Sequence, residues 1–329
     1  MKTTPRQTRS VDQLHSGPAA PAAAGQFWRQ AWRRICLLGV VGVLSACSAV
    51  QLGYLNSAHL TQWWLNKYFQ FNSVQADWVK EQLNESLVWH RSQGLPIWVD
   101  TFEQWAKEVP QDTTTEIMCR DIDTLKVQAD AVFQHLVPMW TQLALNLEPK
   151  QITRLERELA ESNEDYVNER MASDPQERLA ARLEAAVERS ERLYGRITDA
   201  QERLLKAQLQ TSPYTAEQDY ARRLATQKNL IDLIRTQQER WGRSTQIGAP
   251  PPEAAIQEWR ALWQTFLYPA QHWPDLEVRA RQAKVEQATC DIFATLHNAT
   301  DATQRAHWAE VLVGIADDLR GEILSAPAQ

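Results

Sequence analysis

The chain has 329 residues, 43% of them apolar and 14 of them tryptophan, with 35 Lys and Arg against 41 Asp and Glu. That apolar content supports a substantial core and argues against wholesale disorder, and the length suits one large domain or two small ones. Residues 1–46 hold six of the basic side chains and one of the acidic ones, so the remainder carries 29 against 40, a net charge of −11 that a phosphate backbone would repel. Nucleic acid is therefore not an expected partner.

The first 46 residues read as a secretory signal with a long amino-terminal region. A basic flank, Arg29 to Arg34, precedes an apolar run from Ile35 to Leu44. Ten residues rise only about 15 Å as a helix, half of what a bilayer core requires, so the run is a signal core and not a transmembrane span. Leu44-Ser45-Ala46-Cys47 resembles the lipobox of bacterial lipoproteins. That resemblance implies cleavage between Ala46 and Cys47, acylation of the Cys47 thiol, and a lipid-anchored tether over residues 47–56. Ser48 stands where an aspartate would resemble an inner-membrane retention signal, which by the same analogy implies the periplasmic face of the outer membrane. With Cys36 in the leader and Cys47 acylated, Cys119 and Cys290 are left as natural disulfide partners in an oxidising compartment. The alternative for them is two separate buried thiols.

From residue 57 onward the apolar residues recur at helical spacing and no period-two run appears, which predicts an all-α domain over residues 57–324 with a disordered tail at 325–329. The expected helices begin with Ser57–Phe71 and Val74–Gln93, the second ended by Gly94. Pro96 opens the next helix, to Val109, and Thr114–Leu147 follows with a kink or break at Pro138. Pro149–Ala172 and one long helix over Pro175–Gln210 come next, then Thr215–Trp241 as the antiparallel partner of the long one. Glu253–Leu267, Asp275–His297 and Asp301–Leu324 complete the set. The predicted architecture is a multi-helix bundle with an aromatic-rich base and a long antiparallel helical hairpin arm at about residues 149–241.

Signals for chemistry are few. No nucleophile elbow, P-loop, dinucleotide fingerprint or His-Glu-x-x-His pattern is present, and His307 with Glu310 offers two metal ligands at best, so neither enzymatic activity nor a cofactor or metal is expected. The most distinctive local stretch is Trp89 to Trp98, WHRSQGLPIW. Trp89, His90 and Arg91 could line a binding cleft, with Arg91 for an anion and Trp89 for stacking. Alternatively they mark a helix terminus packed by tryptophans.

The lipobox, the aromatic segment Trp63 to Phe69, Trp89-His90-Arg91 with Leu95-Pro96, and ATCDIFATLHNATDATQR (Ala288 to Arg305) together resemble a family of uncharacterised proteobacterial lipoproteins. That resemblance implies no activity. Leu147 to Gln151, Tyr214 to Gln218 and Thr300 to Gln304 approach the Leu-Thr-x-x-Gln signature of Spy/CpxP-type periplasmic chaperones, although the same residues suit an ordinary capping box. The function expected is that of a lipid-anchored, non-catalytic helical interaction module holding an envelope protein, peptide or lipid. A chaperone or envelope assembly factor is the alternative.

Overall fold

A computed structural model describes residues 53, 54 and 56–325, all of whose regular structure is helical. The signal region, Ala46, Cys47, most of the tether and residues 326–329 lie outside the described residues. The helices are α1 (Ser57–Phe69), α2 (Ser73–Trp89), a π-helical turn (His90–Gly94), α3 (Leu95–Glu108), α4 (Thr115–Asn146) and α5 (Pro149–Arg170), followed by α6 (Pro175–Tyr194), α7 (Asp199–Thr211), α8 (Ala216–Trp241), α9 (Glu253–Leu267), the single turn α10 (Pro269–His272), α11 (Leu276–Asn298) and α12 (Ala302–Leu324).

Three apolar clusters hold these helices. The largest gathers Leu65, Val79, Leu83, Leu143, Ile152, Ile234 and neighbours from α1, α2, α4, α5, α8 and α9. A second joins Leu95 and Val99 of α3 to Ala316 and Leu319 of α12. A third packs Tyr194 and Leu205 of the α6–α7 region on Leu296 of α11. α4 runs antiparallel to α11, where Thr115 bonds Asp291 at 2.6 Å, Lys126 meets Glu286 at 2.8 Å, and Cys119 is bonded to Cys290. That bridge closes a separation of 171 residues, which the chain-entropy account values at about 5 kcal/mol.

Two helix junctions share one hydrogen-bond design. Gln75, Gln151, Gln201 and Gln304 each occupy the third position of a helix and accept from the backbone N–H of their own N-cap, at 3.1, 2.8, 2.9 and 3.1 Å. They then pair. Gln75 and Gln151 exchange amide bonds at 3.1 and 2.8 Å, and Gln201 and Gln304 do so at 2.7 and 3.0 Å. Each amide also donates to the carbonyl two residues ahead of its partner's N-cap: Gln75 to Asn146, Gln151 to Gln70, Gln201 to Ala299 and Gln304 to Arg196. Every donor and acceptor of the four amides is thereby used, which is what permits their burial. One pair fastens the starts of α2 and α5, the other the starts of α7 and α12. Asp301 caps α12, which explains why Thr300 to Gln304 fits the helix-start signature only with an extra residue.

Four sequence expectations are corrected. α4 is not broken at Pro138, because Val137, Met139 and Leu143 around it are buried in the largest cluster and that packing outweighs the proline's cost of about 3 kcal/mol. Residues 175–210 form two helices, since Gly195 takes φ 70° and Thr198 caps α7 through Gln201. Those two lie back on one another, with Arg182 donating to the Leu209 carbonyl at 3.4 Å, and α6 also packs on α12. The antiparallel partner of α8 is α5, through Asn163–Gln227 at 2.7 Å, Tyr166–Asp219 at 2.8 Å and Arg235–Glu156 at 2.9 Å. Finally, Gly94 ends no helix: the chain stays helical from Ser73 to Glu108.

Removing one member of a glutamine pair strands its buried partner. Gln75→Ala or Gln151→Ala should each cost about 1–3 kcal/mol by urea unfolding, and Gln75→Leu with Gln151→Leu together clearly less than the sum of the two single losses. Additive losses would show that the amides do not act as a pair.

Candidate functional site

The residues singled out in WHRSQGLPIW fall on the π turn. There Leu95 N–H donates to the His90 carbonyl, five residues back. The turn sits just before Pro96, which has no N–H and whose ring would press on the Ser92 carbonyl in a regular α-helix. An extra residue in the preceding turn moves that carbonyl aside. Such π insertions recur at functional sites.

Around this turn side chains from three distant segments converge. The Tyr54 hydroxyl lies 3.3 Å from the Leu87 carbonyl and 3.2 Å from His90 Nδ1. Both contacts are used when the hydroxyl donates to Leu87 and accepts from the protonated Nδ1 of neutral His90. Arg91 lies over the Tyr54 ring at 5.5 Å and points Nη2 at Glu322 Oε2, 3.7 Å away. The Glu322 side chain is only 4% exposed. Arg91 Nε and Glu322 Oε2 have no hydrogen-bond partner among the described residues, so this ion pair, its carboxylate buried and its guanidinium partly so, is only half satisfied. Trp89 stacks face to face on His135 of α4, centroids 4.0 Å apart and planes within 5°.

Gly94 is required here for close approach. A Cβ on it would stand 2.4 Å from Cδ2 and 2.8 Å from Nε2 of the His90 ring. The ring folds back over the glycine four residues on, and Tyr54 holds it there.

Burial lowers the His90 pKa and likewise that of His135. The same cause dominates at His297, which bonds Tyr194 at 3.0 Å through Nδ1 and the Gln111 carbonyl at 2.8 Å through Nε2. Burial also raises the Tyr54 pKa, with Arg91 opposing. The cluster is thus a neutral histidine, a neutral phenol and an Arg–Glu pair.

Trp89, His90 and Arg91 stand at a register change inside a continuous helix and not at a helix terminus, and their side chains turn to different partners, His135, Tyr54 and Glu322. Each already has an intramolecular partner. Tyr54, His135 and Glu322 were missed by sequence reasoning. Glu322 did leave a trace, because it falls on the buried stripe of Ile315, Leu319 and Ile323 where a carboxylate is out of place. Cys119 and Cys290 are bonded, and an open groove of about 630 Å³ beside them is lined by Glu116, Arg120, Asp123 and Val127 among others. His307 packs against Gly195. Among the described residues no three His, Cys, Asp or Glu side chains converge as metal ligands would, and no helix is long and apolar enough to cross a membrane.

Residues 67–247 match the model of a family of unknown function, DUF6279. The matched span holds Trp89, His90, Arg91 and His135 but neither Tyr54 nor Glu322. No curated protein and no solved structure matches the chain.

Two measurements test this site. Gly94→Ala should destabilise the protein by about 1–3 kcal/mol through the clash with His90. In a His90→Ala background the same change should instead stabilise by about 0.5–1 kcal/mol, the ordinary helical gain; destabilisation in both backgrounds would remove His90 from the account. For the histidines, the folded pKa values lie below the ordinary 6.5, so the unfolded chain binds more protons just below that value. Stability should be level above 6.5 and fall as pH drops through the folded pKa values, and a urea midpoint unchanged between about pH 7.5 and about pH 5.5 would contradict it.

Proposed function

The chain belongs to the DUF6279 family of unknown function, and from its own features we propose that it is a lipid-anchored envelope protein acting as a non-catalytic helical interaction module. In this reading Cys47 is acylated after cleavage at Ala46, and the helical body faces the periplasm from the outer membrane. Its partner is an envelope protein, peptide or lipid. The observation that carries the reading is the Cys119–Cys290 bond, because disulfides persist in oxidising compartments and a secretory leader with a lipobox would deliver the chain to one. The non-catalytic part is supported by the π-turn cluster, whose histidine, arginine and tryptophan are each engaged by another side chain of the protein.

The chaperone reading has one feature in its favour. Gln151 and Gln304, which suggested the Spy/CpxP signature, do stand buried at helix starts. Their amides are spent on pairing helices, so they favour a likeness of architecture over one of client binding.

Labelled palmitate should enter the wild-type protein in cells and be absent from Cys47→Ala; label in the variant, or none in the wild type, would sink the anchor. Photocrosslinking from exposed positions on α6 to α8 should give one dominant adduct for an interaction module, whereas a smear of clients would favour the chaperone.

A further inference from the structure

α1 buries one apolar face and presents another. Ala58 and Leu65 enter the largest cluster, with Phe69 packed against it. On the other side Leu60, Trp63 and Trp64, spaced i, i+3 and i+4, are 52%, 68% and 52% exposed. A surface helix ordinarily turns a polar face to water, whereas this one carries a second apolar stripe among its polar residues. Trp64 touches the Tyr68 ring at 4.7 Å, and neither indole N–H has a hydrogen-bond partner among the described residues.

Three observations select the partner. The first is residue type: tryptophan combines a large apolar ring with one polar N–H and concentrates where a bilayer's acyl chains meet its headgroups. The second is charge. In a chain with 41 acidic residues, α1 (SAHLTQWWLNKYF) has none, and Lys67 extends the exposed stripe by one turn. The nearest carboxylate to Lys67 is Glu158, 3.9 Å away with its side chain only 5% exposed, so the helix itself offers an anionic lipid headgroup layer no acidic side chain. The third is reach. Tyr54 is fixed to the π turn by its hydroxyl, seven residues after Cys47, and seven residues extend at most about 25 Å. α1 is then the first long helix after the anchor point.

We propose that the Leu60–Trp63–Trp64 face of α1 lies in the interfacial layer of a phospholipid bilayer, as a second contact beside the acyl anchor. The reach argument rests on the anchoring reading above; the residue-type and charge arguments do not. Acyl chains alone leave a body free to swivel, whereas an interfacial helix fixes which side faces the lipid.

The test uses the full chain in cells with a benzophenone amino acid at position 63 in place of Trp63, and in parallel at position 224 in place of Leu224, a side chain 40% exposed on α8. Irradiation should yield phospholipid adducts at position 63 in roughly tenfold or greater excess over position 224. Adducts at 63 that are protein, whether a second copy, the chain's own amino-terminal segment or another polypeptide, would overturn the proposal, as would equal lipid yields at both positions. Palmitate labelling of the same cells separates the two failures. Label without lipid adducts at 63 defeats the docked face and leaves the anchor, and lipid adducts without label defeat the anchor and leave the docked face.

Discussion

The buried amide pairs set the frame on which the rest of the fold hangs. A helix start leaves backbone N–H groups unanswered, and two helix starts facing each other in a core would double that cost. Gln75 with Gln151, and Gln201 with Gln304, resolve both starts together, because each side chain closes its own cap and then reaches the carbonyl before the other. Apolar residues cannot specify such a junction, since they leave the caps open. The apolar clusters supply the larger share of stability, but the amides decide which helix ends meet.

Between the two amide junctions, α4 and α11 act as a connecting spine. The Cys119–Cys290 bond, Thr115–Asp291 and Lys126–Glu286 fasten these helices along one antiparallel line. The carboxyl-terminal end of α4 enters the largest cluster, and the carboxyl-terminal end of α11 brings Leu296 to the cluster around Tyr194. His297 ties the same end to the α3–α4 connection through the Gln111 carbonyl. Segments far apart in sequence are thus held by a few polar contacts placed beside apolar ones.

The sequence made the helix list legible wherever punctuation acts locally. Asp174-Pro175 and Pro149 start helices because an N-cap or a first-turn proline needs only its neighbours. Glycine misled in both directions, since it has two physical uses. Gly195 supplies a positive φ and breaks a helix that the apolar stripe seemed to continue, with Thr198 and Gln201 as an overlooked capping signal. Gly94 supplies the missing Cβ beneath His90, and nothing local distinguishes that from a stop. Pairing was misread for another reason: a short connection suggested that 175–210 returns on α8, whereas Asn163, Tyr166 and Arg235 match α8 to α5 across more than fifty residues. At the π turn, the residues named in advance were those adjacent in sequence, and Tyr54 and Glu322 arrive from opposite ends of the chain.

The grip of Tyr54 has a mechanical consequence. It holds the Leu87 carbonyl and the His90 ring where the run from Ser73 to Glu108 changes from α to π register. Tyr54 thus couples the segment ahead of α1 to the turn of that run where the backbone hydrogen bonds change register. A π turn becomes regular by expelling one residue from the coil, a change that would shift the Leu87 carbonyl against the His90 ring, the two groups Tyr54 holds. The segment ahead of α1, the winding of the helix and the Arg91–Glu322 pair therefore share one set of contacts.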